Sequence, residues 1–276
     1  DITMENYLAA KCKLFLQSDI AVINIDDEAG EKLLSMIDCE KVTYSASNDY
    51  AAVTAKDIVL GSREVQFTLS AKNLIERVSV GIPGKFSVYN ALAVAAAALS
   101  LDIPAQSIVS GLATAKGVKG RAEVVPTEGS YTVLIDYAHT PDGLYNILKT
   151  VKDFAKGRVV VVFGCGGDRD KTKRSKMGRI AADLADFCVI TSDNPRSEEP
   201  MDIINDILEG VAGTKTPYEV ICDRRSAIKY AIQNARENDI IVLSGKGHED
   251  YQVLSTGKIH FDEREIVAEI INELKQ

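Results

Sequence analysis

Residues 158–200 read RVVVVFGCGGDRDKTKRSKMGRIAADLADFCVITSDNPRSEEP, and this stretch decides the fold. An apolar run, Val159 to Phe163, ends in glycines. Met177, Ile180, Ala181 and Leu184 follow at helical spacing. A second apolar run, Phe187 to Ile190, ends in TSDNPR. Strand, glycine turn, helix, strand and polar loop predict a βαβ unit with parallel neighbouring strands. Ligands of open parallel sheets bind beyond the carboxyl ends of the strands. Those ends carry Gly166, Gly167, Asp168, Arg169 and Lys171 on one loop, and Asp193, Asn194 and Arg196 on the other. Two guanidiniums and two carboxylates facing one crevice suit a small zwitterion with several carboxylates. The plainer reading makes Arg169 and Lys171 solvated charges at a helix start, where cations oppose the helix dipole. It makes Asp193-Asn194-Pro195 an ordinary Asx-Pro turn.

The same pattern extends downstream. Helices are expected over 143–154, 201–211, 224–235 and 263–274, and strands over 218–221 and 239–243. Residues 121–125 and 131–135 read as a hairpin. SGKGHED, 244–250, closes the strand before it. By pattern alone, the chain from about residue 119 is a compact α/β domain.

Upstream, residues 1–17 read as one helix. Met4, Leu8, Lys11 and Phe15 share a face, so Lys11 sits inside an apolar stripe. A lysine there either snorkels or has a partner or a changed charge state. Strands are expected over 19–26, 41–45, 51–60, 65–69 and 75–80, and a short helix over 28–37; alternation makes part of this sheet antiparallel. Ser87 is the expected cap of a helix over 88–101 that is apolar almost all round and therefore buried. Asn90 lies in its first turn, either as a local cap or as an amide offered to a ligand. Another short helix covers 103–115, and GVKG, 117–120, is the candidate linker.

The totals bound the chemistry. The chain has 276 residues, 46% apolar and 26% charged, with a formal net charge of −8. That balance argues against general nucleic-acid binding. The basic cluster Arg169, Lys171, Lys173, Arg174, Lys176 and Arg179 is local and suits phosphate or carboxylate. Five cysteines without a CxxC fit a reducing, cytoplasmic setting, with neither zinc nor disulfides. The longest apolar run is too short to span a bilayer, so no membrane insertion is expected. The chain opens at Asp1 in mid-pattern, as expected of a piece of a longer protein. No Walker A loop is complete. Gly84-Lys85 is followed by Phe86, and Gly245-Lys246 by Gly247. GCGGDRD is misspaced for a nicotinamide fingerprint.

Four segments together carry a resemblance: ENYLAAKCKLF; GRAEVV followed by IDYAHTPD; FGCGGDRDK with SDNPRSEEP; and SGKGHEDYQ. In that order and spacing the chain resembles the Mur ligases, in the branch that adds the third residue of the peptidoglycan stem peptide. DNPR is the form used when that residue is meso-diaminopimelate rather than lysine. The resemblance implies an α/β protein: the remainder of a central ATP-binding domain, residues 1–118, followed by a Rossmann-like amino-acid-binding domain, residues 119–276. The family's first domain and P-loop have no counterpart here. The implied activity is ATP- and Mg2+-dependent amide formation on a UDP-N-acetylmuramoyl dipeptide, in a cytoplasmic monomer.

The resemblance also implies roles. Lys11 matches the lysine that reacts with CO2 and, as a carbamate, holds Mg2+. Asn90 meets the adenine. Arg121 and Asp136 contact nucleotide phosphate and ribose, with Tyr137 and His139 beside them. Lys171 assists the γ-phosphate. Arg169, Asp193, Asn194, Arg196, Gly245 and Glu249 hold diaminopimelate. Other readings are a lysine-adding or folylpolyglutamate-type ligase, or a non-catalytic amino-acid-binding module.

Overall fold

The computed structural model describes residues 3–275, which divide into two compact units with the boundary between Lys116 and Gly117. The expected boundary lay two residues later, at 118/119.

The first unit runs α1 (Met4–Phe15), β1 (Ile20–Asn24), α2 (Glu28–Met36), β2 (Glu40–Ser45), β3 (Val53–Leu60), β4 (Val65–Ala71), β5 (Leu74–Val80), α3 (Lys85–Ser100) and α4 (Ala105–Thr114). The sheet order is β1-β2-β3-β4-β5. The first three strands pair in parallel and the last three antiparallel, as alternation in the later strands predicts. Phe67 and Leu69 pack with Val88 and Leu92 of α3, each fully buried. Each such side chain contributes roughly 1.5–3 kcal/mol. Asp26, just past β1, accepts hydrogen bonds from Ser45 Oγ, Ser47 Oγ, the Ala46 amide and Tyr89 Oη, tying the strand end to α3.

Three expectations here are corrected. The end of the expected helix over residues 1 and 2 lies outside the described residues, and α1 stops at Phe15. The cap of α3 is Gly84, at φ +96°, while Ser87 is inside the helix and donates its hydroxyl to the Pro83 carbonyl. The helix thus starts earlier, which moves Asn90 into its second turn. Finally, α3 buries one face only. Val94 and Phe86 are exposed because small alanines, not large side chains, fill much of the buried face.

The second unit runs β6 (Glu123–Val125), β7 (Thr132–Asp136), α5 (Pro141–Lys152), β8 (Val159–Phe163), α6 (Thr172–Leu184), β9 (Phe187–Ile190), α7 (Pro200–Val211), β10 (Tyr218–Val220), α8 (Arg224–Gln233), β11 (Ile240–Ser244), β12 (Tyr251–Leu254), β13 (Gly257–His260) and α9 (Glu263–Glu273). Its main sheet has the order β10-β9-β8-β11-β7-β6, parallel except for the β6 edge. β7, β8 and β11 are buried at every position, which explains their unbroken apolar runs. Ala227, Ile228, Val267 and Ile270 of α8 and α9 cover one face against Val160, Val162 and Leu243. On the other face α6 packs between α5 and α7.

The chain moves outward from β8 to β9 and β10, then returns to place β11 on the other side of β8. Connections therefore diverge at the β8–β11 boundary, and the loops there leave an open crevice.

Candidate functional site

Four loops rise from the carboxyl ends of β7, β8, β9 and β11. Two of them are knitted together backbone to backbone. Gly167 donates its N–H to the Asn194 carbonyl at 2.9 Å. A Cβ on Gly167 would lie 1.9 Å from the Pro195 carbonyl oxygen, so only glycine permits this approach. Asp168 turns away from the crevice and takes the Ser197 hydroxyl at 2.7 Å and the Ser197 amide at 3.2 Å. Those bonds hold its carboxyl below the usual range. Glu198 reaches back to the Asp168 amide at 2.6 Å and takes both terminal nitrogens of Arg174, at 2.8 and 3.0 Å. The Arg174 guanidinium, with that amide, holds the Glu198 carboxyl down at about 2.

This knitting places Arg169 and Arg196 on one cavity of about 450 Å³, which Asp193, Asn194, Gly245 and Glu249 also line. Arg196 has φ +54°, a left-handed conformation that costs a non-glycine residue roughly 1–3 kcal/mol. Two bonds hold it there: its N–H donates to the Val253 carbonyl at 3.0 Å, and Nη1 to the Gly167 carbonyl at 2.8 Å.

Asp193 is buried, with 8% of its side chain exposed, and Oδ1 has no hydrogen-bond partner. A buried carboxylate oxygen without a hydrogen-bond donor is costly, and the nearest cation, Lys246 Nζ at 3.5 Å, offsets that cost only in part. Gly245 stands against the same carboxylate. It has φ +120°, and a Cβ there would sit 2.9 Å from Asp193 Oδ2.

Lys246 lies behind the lining and ties Asn194, Glu249 and Asp193 together. Its side chain is fully buried, with Nζ 3.0 Å from Asn194 Oδ1, 3.0 Å from Glu249 Oε2 and 3.5 Å from Asp193 Oδ1. Asn194 also donates Nδ2 to Glu249 Oε2 at 3.0 Å and accepts the Val253 amide at 2.9 Å. Its amide is thus engaged at both ends by the protein, so Asn194 builds the pocket wall rather than standing free for a guest. Lys246 was not singled out from sequence. A lysine between two glycines directly after an unbroken buried strand is the signal that marks it. Tyr251 and Lys173 also line the cavity, the latter donating to the His139 carbonyl at 2.7 Å.

The remaining expected residues are placed as follows. Lys171 is exposed and pairs with Glu198 at 3.1 Å, outside the cavity lining. Lys173, two residues on, takes the cavity position because it lies one half-turn further round α6. Of the other cations in the expected basic cluster, Arg174 is buried between Glu198 and Asp206, and Arg179 pairs with Asp183. Three of the six cluster cations are therefore paired with carboxylates, while Arg169 and Lys173 line the cavity. His139 lines the cavity and turns Nδ1 to the Tyr137 carbonyl at 2.8 Å. The Tyr137 ring lies between the His139 and His248 rings, at 4.6 and 4.8 Å, with Arg121 Cζ 5.6 Å from its centroid. Asp136 is buried, and its two oxygens accept the Ala138 and Ala122 amides, each at 2.8 Å. Burial pushes its carboxyl up, opposed by those amides and by Arg121. Both Asp136 oxygens already hold backbone, so the side chain braces the loop.

In the first unit, Asn90 is exposed. Lys11 is exposed too, with Nζ 5.5 Å from the Tyr7 ring centroid, while Leu8, Cys12 and Phe15 are partly buried. The apolar stripe of α1 therefore passes beside Lys11 rather than enclosing it. Among the described residues no cluster of His, Cys, Asp and Glu is arranged to hold a metal ion, and no helix is long and apolar enough to cross a membrane.

The cavity thus offers Arg169, Arg196 and Lys173 to anions and Asp193 and Glu249 to cations. It is large enough for an amino acid with two charged ends. Its mixed charges suit binding and orienting an amino acid.

Comparison with known proteins agrees. Residues 2–98 match the Mur ligase middle domain, and residues 120–247 the Mur ligase glutamate ligase domain. A UDP-N-acetylmuramoyl-L-alanyl-D-glutamate–2,6-diaminopimelate ligase of Clostridium tetani is 48% identical over 99% of this chain and 56% of its own length. The ligase of the same name from Caldanaerobacter subterraneus subsp. tengcongensis is 48% identical over 98% of the chain and 56% of its own length. A solved structure of a ligase with that name superposes with a TM-score of 0.78 at 33% identity, covering the whole chain and 58% of that protein. A folylpolyglutamate synthase from Thermotoga maritima, at 21% identity and TM-score 0.58, shares the fold over 79% of the chain. The chain spans a little over half the length of the curated relatives it matches.

Proposed function

This chain belongs to the Mur ligase family, and we propose that it serves ATP-dependent addition of meso-diaminopimelate to UDP-N-acetylmuramoyl-L-alanyl-D-glutamate. The observation that carries the reading is a single cavity lined by both signs of charge, Arg169 and Arg196 beside Asp193 and Glu249. A guest that matches this lining brings ammonium groups toward the carboxylates and carboxylates toward the arginines. Diaminopimelate carries two of each. Arginine suits the carboxylate partner because its planar fork can give two parallel bonds. Lysine lacks the distal carboxylate and leaves one guanidinium of the pair without its anion.

In the reaction, the γ-carboxylate of the D-glutamyl residue attacks the γ-phosphorus of ATP, and ADP leaves with the broken bond's electrons. The amine of diaminopimelate attacks the acyl carbon of the resulting acyl phosphate. Phosphate departs and the amine loses a proton. This chain's second unit contributes orientation: Asp193 and Glu249 fix the ammonium groups, and the arginines fix the carboxylates. Arg121 and Tyr137 are proposed contacts of the nucleotide, Tyr137 as an aromatic face. In the first unit, Asn90 is a proposed adenine contact. Lys11 is the proposed site of carbamate formation: its free amine attacks CO2 and loses a proton, and a cation becomes an anion. Bound Mg2+ would neutralise phosphate charge, with the carbamate supplying oxygen ligands suited to a hard cation.

Calorimetric titration with meso-diaminopimelate, lysine and ATP tests the reading. Diaminopimelate is expected to bind roughly 10–100-fold more tightly than lysine, the loss of one charge-assisted contact. Equal affinities would defeat the assignment of the arginine pair.

A further inference from the structure

Arg224 is a fully buried guanidinium with no place in the chemistry above. It opens α8, and its side chain reaches Glu263, which opens α9 and is also fully buried. Nε donates to Glu263 Oε1 at 2.8 Å. Nη1 donates to the Ser192 carbonyl at 3.3 Å, and Nη2 to the Ser244 carbonyl at 3.0 Å. Those two carbonyls immediately precede Asp193 and Gly245. One lies just past β9 and the other ends β11, the strands that flank β8 on its two sides. A single guanidinium therefore spans the tip of the central strand and ties together the two chain segments that become opposite walls of the cavity.

The Arg224 charge is not placed to favour its own helix. A cation at the start of α8 opposes that helix's dipole, and Glu263 leaves Oε2 without a hydrogen-bond partner. Apolar side chains commonly replace such buried pairs without loss of stability. What apolar side chains cannot do is hold two carbonyls at a set distance. The contacts across the gap are short: Lys246 Nζ on Asn194 Oδ1 at 3.0 Å, and Asn194 Nδ2 on Glu249 Oε2 at 3.0 Å. They require the walls to keep their spacing.

We propose that Arg224, oriented by Glu263, is a positioning residue that sets the separation of the Asp193–Arg196 and Gly245–Glu249 walls and through it the affinity for a doubly charged amino acid. The ligand half of this statement rests on the proposed function; the spacing half does not.

The test compares the chain with its Glu263→Gln form and with the double form Arg224→Met/Glu263→Leu. Three readouts are taken: thermal unfolding, amide hydrogen exchange and calorimetric binding of meso-diaminopimelate. The double form is expected to unfold cooperatively but below the parent's midpoint, because the Ser192 and Ser244 carbonyls lose their donor. Its Asn194 and Gly245 amides should exchange at least 10-fold faster, and diaminopimelate should bind at least 10-fold more weakly. Glu263→Gln should fall between. Parent-like exchange at those amides in both variants would overturn the proposal, because a merely structural pair would leave the walls unmoved. If Arg224→Met/Glu263→Leu does not fold, Glu263→Gln decides on the same exchange criterion. Faster wall exchange in variants of a parent that binds no diaminopimelate would uphold the spacing device and reject the proposed ligand.

Discussion

Replacing Lys246 by methionine removes a buried cation while keeping most of the side-chain volume. Its Nζ lies 3.0 Å from Glu249 Oε2 and 3.5 Å from Asp193 Oδ1. These carboxylates are 13% and 8% exposed, so water screens them little. At an effective dielectric constant of about 20, a unit pair at 3.0 Å attracts by roughly 5 kcal/mol. Desolvation of the ammonium offsets part of this. Removal of one partner from a buried pair costs about 3–5 kcal/mol, because the remaining charge is stranded. The expected loss is therefore about 3–5 kcal/mol. For a domain of this size that lowers Tm by roughly 6–20 °C. Thermal unfolding followed by circular dichroism measures it. The double form Lys246→Met/Glu249→Met should lose less than the two single losses combined, since it strands fewer charges. A single-variant loss below about 1 kcal/mol, with the fold intact, would refute the placement of a buried cation between these carboxylates.

Arg196→Ala should weaken diaminopimelate binding roughly 10–100-fold and leave lysine binding nearly unchanged, by calorimetry; parallel losses would assign the side chain a loop-bracing role instead. Gly245→Ala forces φ +120° on a side chain and drives Cβ to 2.9 Å from Asp193 Oδ2. It should cost about 1–3 kcal/mol in unfolding experiments and depress affinity, and an undisturbed protein would contradict the close approach. Glu198 has a folded carboxyl pulled down to about 2 from 4.5, so the stability it contributes is full above pH 4.5 and is lost as pH falls toward 2. The acid-unfolding curve of Glu198→Gln should lack that component, and superimposable curves would exclude it. In an assay of the assembled ligase activity, Lys11→Ala should nearly abolish turnover, with partial recovery on adding short-chain carboxylates; near-normal rates would remove the carbamate from the mechanism.

Much of the second unit was legible because its strands are buried on both faces. VVVVF and IIVLS can be little else than central strands of a parallel sheet. Glycine-rich and Asx-Pro segments at their carboxyl ends then mark where a ligand binds. Charge type was legible there, but charge partner was not. Lys171, Arg174 and Arg179 read as one basic patch, yet each faces a carboxylate 4 to 32 residues away in the chain. Lys11 misled in the opposite direction. Helical spacing put it on an apolar stripe, but spacing cannot report how far around α1 the packing extends.

The amino-acid order by itself determined the βαβ alternation, the parallel sheet and the loops that bear Arg169, Asp193 and Arg196, because these follow from local periodicity and turn chemistry. Only tertiary structure decided that Lys246 backs the cavity lining, that Asn194 is already spoken for, and that Arg224 bridges the segments after β9 and at the end of β11. Such contacts join residues 20 to 59 positions apart. Their energies depend on burial and distance, which exist only once the strands have taken their places beside one another.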